Sequence, residues 1–258
     1  MLRIATLTSV LALTASAALA AEIKVGVSPG EHAEIMELVA EVAEPMGLEI
    51  DVVEFSDYVI PNQALADGDI QANSFQHVPY LDNQMADRGF DLTVVANTIT
   101  TPMGVYSDKV TELSALAEGA SFGIPNDPTN GGRALLVLQE LGLIKLDESA
   151  GLKPTVLDIT ENPKGLKFTE LDAAQLPRSL ADLDAALINT NYAIASGLNP
   201  KTDSIAMESA ENPYVNVIVV RSGDENAPWV ETLIKAYHSD EVKTFIDESY
   251  NGTVLTSW

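Results

Sequence analysis

No cysteine occurs among the 258 residues. Disulfides, thiolate metal sites, thiol nucleophiles and lipid attachment through a thiol are therefore excluded. Positive charge is scarce as well: 14 Lys and Arg stand against 38 Asp and Glu, a formal net charge of −24. So negative a surface repels phosphate backbones and anionic lipid headgroups, which argues against a nucleic-acid partner. The three histidines, His32, His77 and His238, lie far apart and lack metal-ligand spacing. No G-x-S-x-G, H-E-x-x-H, P-loop or G-x-G-x-x-G string is present. Gly131-Gly132 sits near a helix start without the Lys-Ser/Thr that phosphate cradling needs. With acidic residues so abundant, any carboxylate pair arises readily by chance. The expectation is a protein without catalysis, cofactor or metal.

One long uncharged run exists, Ile4 to Ala21, preceded by Arg3 and closing on Ala18-Leu19-Ala20-Ala21. A short basic start, an apolar stretch and an A-x-A site read as a secretory signal over residues 1–20. A membrane anchor is the competing reading. The run is barely long enough to span, is rich in Ala, Ser and Thr, and is followed by no stop-transfer pattern. Cleavage would leave 13 basic against 38 acidic residues in a protein soluble outside the cytoplasm.

The remainder is globular in composition, 46% hydrophobic and 20% charged. Strands are expected over Ile23–Val27, Leu48–Phe55, Asp69–Phe75, Asp91–Thr98, Ser121–Ile124, Lys167–Leu171, Ala185–Ile188 and Tyr214–Val220. Helical spacing runs over 31–44, Pro61–Ala66, 78–88, 128–141, Asn191–Ser196, 227–238 and 240–250. Asp127-Pro128 caps and opens the helix that stops at Gly142. Strand–helix alternation predicts an α/β fold with mainly parallel sheet. The Gly- and Pro-bearing stretch 142–166 reads as surface connection. If two lobes exist, the chain crosses between them near 100–105 and again near 210–216.

In open α/β sheets ligands sit beyond the carboxyl ends of strands. Polar and aromatic clusters fall at such ends: Asp57–Asn62, Asn73–Tyr80, Asn126–Arg133 and Asn189–Tyr192. These clusters resemble the NlpA-type family of substrate-binding lipoproteins, and within it the methionine-binding proteins of ABC importers. The strings that carry the likeness are Phe55–Asn62, Asn73–Tyr80, Pro125–Arg133, Gln175–Leu180, Ile188–Tyr192 and Glu211–Asn216. They occur in that order along Ile23–Trp258. The resemblance implies a two-lobed periplasmic-binding-protein fold, type II-like, with ligand trapped between lobes that close about a hinge. Lobe 1 is expected over 21–103 plus 215–258 and lobe 2 over 104–214. Members of the family usually carry an acylated cysteine just after the signal. Its absence here leads to the expectation of a free periplasmic protein rather than a lipoprotein.

The resemblance also suggests roles. Arg133, in the second turn of its capped helix, suits the carboxylate of a free amino acid; a surface salt bridge is the alternative. Asn189 and Asn216 can meet carboxylate and ammonium at once, with Asn191 competing for the role of Asn189; capping or turn formation is the usual fate of Asn. Tyr58, Phe75, His77 and Tyr80 would form the side-chain pocket, His77 donating to sulfur or to a backbone group; ordinary core packing is the alternative. The implied function is capture of methionine, L- and possibly D-, by a monomer that serves an importer permease and its ATPase. Competing ligands are a methionine-containing dipeptide or another apolar amino acid. Competing classes are a secreted enzyme on a two-lobed scaffold and an adhesin-like surface protein.

Overall fold

The computed structural model describes residues 21–258; the segment read as a signal, 1–20, lies outside the described residues. In chain order the elements are β1 (Ala21–Val27), α1 (Glu31–Ala43), β2 (Leu48–Glu54), α2 (Ile60–Asp67), β3 (Ala72–His77), α3 (Val78–Arg88), β4 (Leu92–Thr100) and β5 (Gly104–Tyr106). They continue with β6 (Ser121–Pro125), α4 (Pro128–Glu140), β7 (Lys145–Leu146), β8 (Ile159–Glu161), β9 (Lys167–Leu171), α5 (Leu176–Ser179) and β10 (Ala185–Ile188). The last are α6 (Thr190–Ala195), β11 (Ser204–Met207), β12 (Val215–Arg221), α7 (Pro228–Tyr237), α8 (Asp240–Tyr250) and β13 (Leu255–Thr256). Among these residues no helix is long and apolar enough to cross a membrane.

Two sheets form the two lobes of an α/β fold. The first has six strands in the order β13-β4-β12-β3-β1-β2, the second five in the order β11-β5-β10-β6-β9. β1 runs parallel to β2 and β3, and β6 runs parallel to β9 and β10. β12 is antiparallel to β3 and β4, and β5 is antiparallel to β10 and β11. The sheets are therefore mixed, not mainly parallel as expected. A parallel neighbour needs a crossover connection, normally helical. β5 and β12 are delivered instead by segments that pass directly from one sheet to the other, and they enter in the opposite sense.

Each sheet is covered on both faces. Val217–Val220 of β12 form an unbroken apolar run because alternate residues serve two cores. Ile218 and Val220 join Ile35, Met36 and Val39 of α1, Leu233 of α7 and Ile246 of α8. Val217 and Val219 face Leu65 of α2 and Leu81 of α3. In the second sheet Phe122 and Ile124 pack under Leu135 and Leu138 of α4. Ala186 and Ile188 pack against Leu176 of α5 and Ala193 of α6.

Two other expectations shift. The strand placed over Asp69–Phe75 begins at Ala72 and runs to His77. Gly68 closes α2 in the left-handed conformation and Asp69 N–H bonds back to Ala64, so the chain turns before it extends. The stretch 142–166 is more than a connection: it holds the β7–β8 hairpin and buries Leu143, Ile144 and Leu146. It lies so close to α4 that a Cβ on Gly132 would stand 2.8 Å from the Cα of Lys153. Gly131 and Gly132 thus serve close packing.

The lobes also approach at Gly30, just before α1. Its φ is +85°, and a Cβ there would stand 2.4 Å from the carbonyl oxygen of Asn191 on α6. Gly30→Ala should cost about 1–3 kcal/mol through left-handed strain, with further loss from the clash. Urea unfolding of the purified variant measures this; a loss under about 0.5 kcal/mol would contradict it.

Candidate functional site

A narrow cleft lies between the two sheets. Tyr58, Phe75, His77, Tyr80, Arg133, Asn189, Asn191 and Asn216 all line it, together with His32, Gln76, Thr101 and Asn130. Chain topology explains the gathering. β3 ends at His77, β6 runs into the Asp127 cap, and β10 runs into Asn189, the N-cap of α6. Side chains at these strand ends come from distant sequence positions and from both lobes.

Arg133 is buried in the second turn of α4 and is 2% exposed. It is not a surface ion pair. Its Nε donates to Glu208 Oε1 and Oε2 at 2.9 and 3.1 Å, and its Nη2 donates to Glu208 Oε2 at 2.5 Å. Nη2 also donates to the Thr101 carbonyl at 2.9 Å. The Tyr214 ring covers one face of the guanidinium, its centroid 4.3 Å from Cζ. Nη1 has no hydrogen-bond partner among the described residues. One edge of the fork is filled and the other is available.

A chain of amides lines the cavity beside Arg133. Asp127 caps α4 and accepts from Asn130 Nδ2 at 2.9 Å. Asn130 Oδ1 then accepts from Asn189 Nδ2 at 3.0 Å. Asn189 Oδ1 is left buried with no partner among the described residues. Asn191 is held the other way: its Oδ1 accepts from Tyr58 at 2.5 Å, and its Nδ2 is unpartnered. Both asparagines therefore reach the cavity, one offering an acceptor and the other a donor. Asn216 donates to the Ile99 carbonyl at 3.2 Å.

The aromatic wall is Tyr58, Phe75 and Tyr80, with pairwise ring centroids 6.0–6.1 Å apart. Tyr80 donates to the Tyr58 carbonyl at 2.9 Å, which ties the wall together. His77 does not stand free to donate to a ligand sulfur. Its Nδ1 accepts from Tyr80 N–H at 3.1 Å, capping α3, so the neutral ring carries its proton on Nε2 and donates to Asn130 Oδ1 at 3.2 Å. Burial, with Arg133 nearby, pushes the His77 ring down to about 3; burial alone pushes His32 down to about 4. Both rings are neutral at physiological pH.

Sequence reasoning missed Glu208, Tyr214, Asn130, Thr101, Gln76 and His32. Asn130, Gln76 and Tyr214 fell inside strings already singled out, and only their individual roles went unread. Glu208 gave no signal: it is one of 38 acidic residues and lies 75 positions from Arg133.

Two α/β lobes joined by two crossing segments, with a polar and aromatic cavity between them, define the solute-binding-protein fold class. The chain belongs to the NlpA lipoprotein family, whose model matches residues 23–258. It is 50% identical over 239 residues to the D-methionine-binding lipoprotein MetQ of Escherichia coli K12, covering 92% of this chain and 88% of that protein. A nutrient-binding protein from Burkholderia cenocepacia, solved bound to methionine, superposes with a TM-score of 0.89 at 52% identity, covering 92% of this chain and 100% of that one. An ABC-transporter periplasmic substrate-binding protein from Coxiella burnetii superposes with a TM-score of 0.87 at 43% identity, covering 91% and 100%.

Beside His32, in the first turn of α1, Glu31 is fully buried and neither carboxyl oxygen has a side-chain hydrogen-bond partner among the described residues; His32 Nε2 stands 4.0 Å from Oε1. Burial pushes its carboxyl up from 4.5 to about 8; a backbone hydrogen bond opposes the rise and the Glu34 charge adds to it. The unfolded chain ionises here above pH 4.5, whereas the folded chain holds the proton until about pH 8. Stability is therefore complete below pH 4.5 and is drained as pH rises through that window. Glu31→Gln removes the drain. The melting temperature of this variant should gain on that of the parent as pH is raised from about 5 to about 8; a constant difference would contradict the assignment.

Proposed function

We propose that this chain is a periplasmic solute-binding protein that captures methionine and hands it to an ABC importer. The observation that carries the reading is the unused hydrogen-bonding capacity of the cavity. Arg133 Nη1 offers a donor edge, Asn189 Oδ1 is an unpaired buried acceptor, and an aromatic wall stands beside them. A free amino acid supplies the complement. Its carboxylate takes the open guanidinium edge, with Asn191 Nδ2 as a second donor. Its ammonium donates to Asn189 Oδ1 and to the Asn216 amide oxygen. A thioether packs well against the rings of Tyr58, Phe75 and Tyr80, gaining roughly 0.3–1.5 kcal/mol per contact. His77 holds the Tyr80 backbone and Asn130 in place. The names of the relatives, a D-methionine-binding lipoprotein and a protein solved with methionine, support this ligand.

The lobes are taken as 21–103 plus 215–258 and 104–214, hinged where the chain crosses. Hydrogen bonds from Tyr58 to Asn191 and from Tyr192 to the Ser56 carbonyl close the cavity across the lobes. Enclosure matters for so small a ligand. About nine heavy atoms at no more than about −1.5 kcal/mol each cap the affinity near −13 kcal/mol, in the nanomolar range. The protein acts as a monomer, carries out no reaction, and meets a permease coupled to a cytoplasmic ATPase. With no cysteine in the chain, it lacks the residue that carries a lipid and works free in the periplasm, unlike relatives named lipoproteins.

Calorimetric titration of ligand-stripped protein with L- and D-methionine should give tight binding, and Arg133→Ala should weaken it at least about tenfold. Near-parental affinity in a folded Arg133→Ala variant would overturn the carboxylate assignment. In cells making the full chain, the protein should partition into the aqueous phase of a detergent phase separation. Recovery in the detergent phase with an acyl mass increase would overturn the unanchored reading.

A further inference from the structure

Glu208 follows β11 on the second crossing segment and is buried. Its carboxylate accepts from Arg133 Nε and Nη2 and from Met103 N–H at 3.0 Å, on the first crossing segment. Its own backbone N–H donates to the Met103 carbonyl at 2.9 Å. This one residue thus laces the two crossings together and occupies one edge of the guanidinium. It also offsets the charge of Arg133. The cavity lining holds no Asp, Glu or Lys among the described residues, and its other ionisable rings are neutral: burial pushes the imidazoles of His32 and His77 down and the phenols of Tyr58 and Tyr80 up.

We infer that Glu208 is a specificity-determining, positioning residue: by neutralising Arg133 from the rear, it makes the site select ligands that carry carboxylate and ammonium together over ligands that carry a carboxylate alone. The reason is electrostatic. An uncompensated charge in a closed, poorly hydrated cavity is costly. Arg133 alone would welcome any carboxylate, since anion and cation would cancel. The Arg133–Glu208 pair is already neutral, so a bare anion leaves net negative charge enclosed, whereas a zwitterion leaves none. The edge that Glu208 fills also directs the ligand carboxylate to Nη1, which places the ammonium toward Asn189 Oδ1. Glu208 acts through Arg133; no contact with the ligand is required of it.

The inference rests on the methionine reading, and the experiment separates the two. Parent, Glu208→Gln and Glu208→Asp proteins are titrated with methionine and with its des-amino analogue, 4-(methylthio)butanoate. The parent should prefer methionine strongly. Glu208→Gln, which removes the charge at nearly constant shape, should lower the ratio of the two affinities at least tenfold in favour of the analogue. Glu208→Asp keeps the charge and disturbs the fork. It should weaken both ligands while holding the ratio within about threefold of the parent; if Glu208→Gln fails to fold, Glu208→Ser, which also removes the charge, takes its place and should shift the ratio in the same sense and by the same margin. A residue that only braced the hinge would weaken both ligands equally. An unchanged ratio in folded Glu208→Gln, or a tenfold shift in Glu208→Asp, overturns the inference and leaves the methionine reading intact. A parent protein that binds neither ligand overturns both.

Discussion

A guanidinium buried between two sheets must have its charge answered, and much of the structure follows from how that is done here. Arg133 is answered on one edge by Glu208 and on one face by Tyr214, and Thr101 takes a further N–H. Replacing a buried ion pair by apolar side chains is often neutral or stabilising, so the pair is not explained by stability. It is explained by what it leaves open: one donor edge, fixed in direction, facing a cavity.

The groups that answer Arg133 sit on the two segments by which the chain passes between lobes. Thr101 and Met103 belong to the first passage, Glu208 and Tyr214 to the second. The anchor of the cavity and the joint between the lobes are therefore built from the same residues. The groups that hold Arg133 are the ones that stand at the crossings between the two sheets. The second wall works by relay: Asp127 orients Asn130, Asn130 orients Asn189, and His77 is held by Tyr80 and Asn130. Each amide is turned by its neighbour, which fixes the direction of the atoms left without a partner among the described residues.

The outside and the inside of the molecule follow different electrostatic rules. The chain carries a formal net charge of −24, yet the cavity is a neutral place: an ion pair, amides, and two histidines stripped of charge by burial. Surface charge in water is screened within about a Debye length, so it governs solubility and encounter but not what the enclosed site prefers. Those preferences are set by a few groups whose water has been removed.

Periodicity and capping made most elements legible in the chain itself. Helix α3 over 78–88 and helix α8 over 240–250 lie where their apolar spacing put them, and Asp127-Pro128 opens α4 as its chemistry requires. The polar strings at strand ends were legible too, because local sequence decides where a strand stops and which side chains follow. The short strands β5, β11 and β13 were not. Each is two to four residues long and owes its extended form to a neighbour distant in sequence. The same limit applied to the site. Local sequence determined that Arg133, Asn189, Asn191 and the aromatic residues would stand at the mouths of strands. Only the tertiary structure decided that Glu208 would take one edge of the guanidinium, that Tyr214 would cover its face, and that His77 would donate to Asn130. Those choices depend on side chains tens of residues apart meeting in a space without water. There an unpaired charge or amide is costly enough for the fold to specify its partner, and no spacing along the chain encodes that cost.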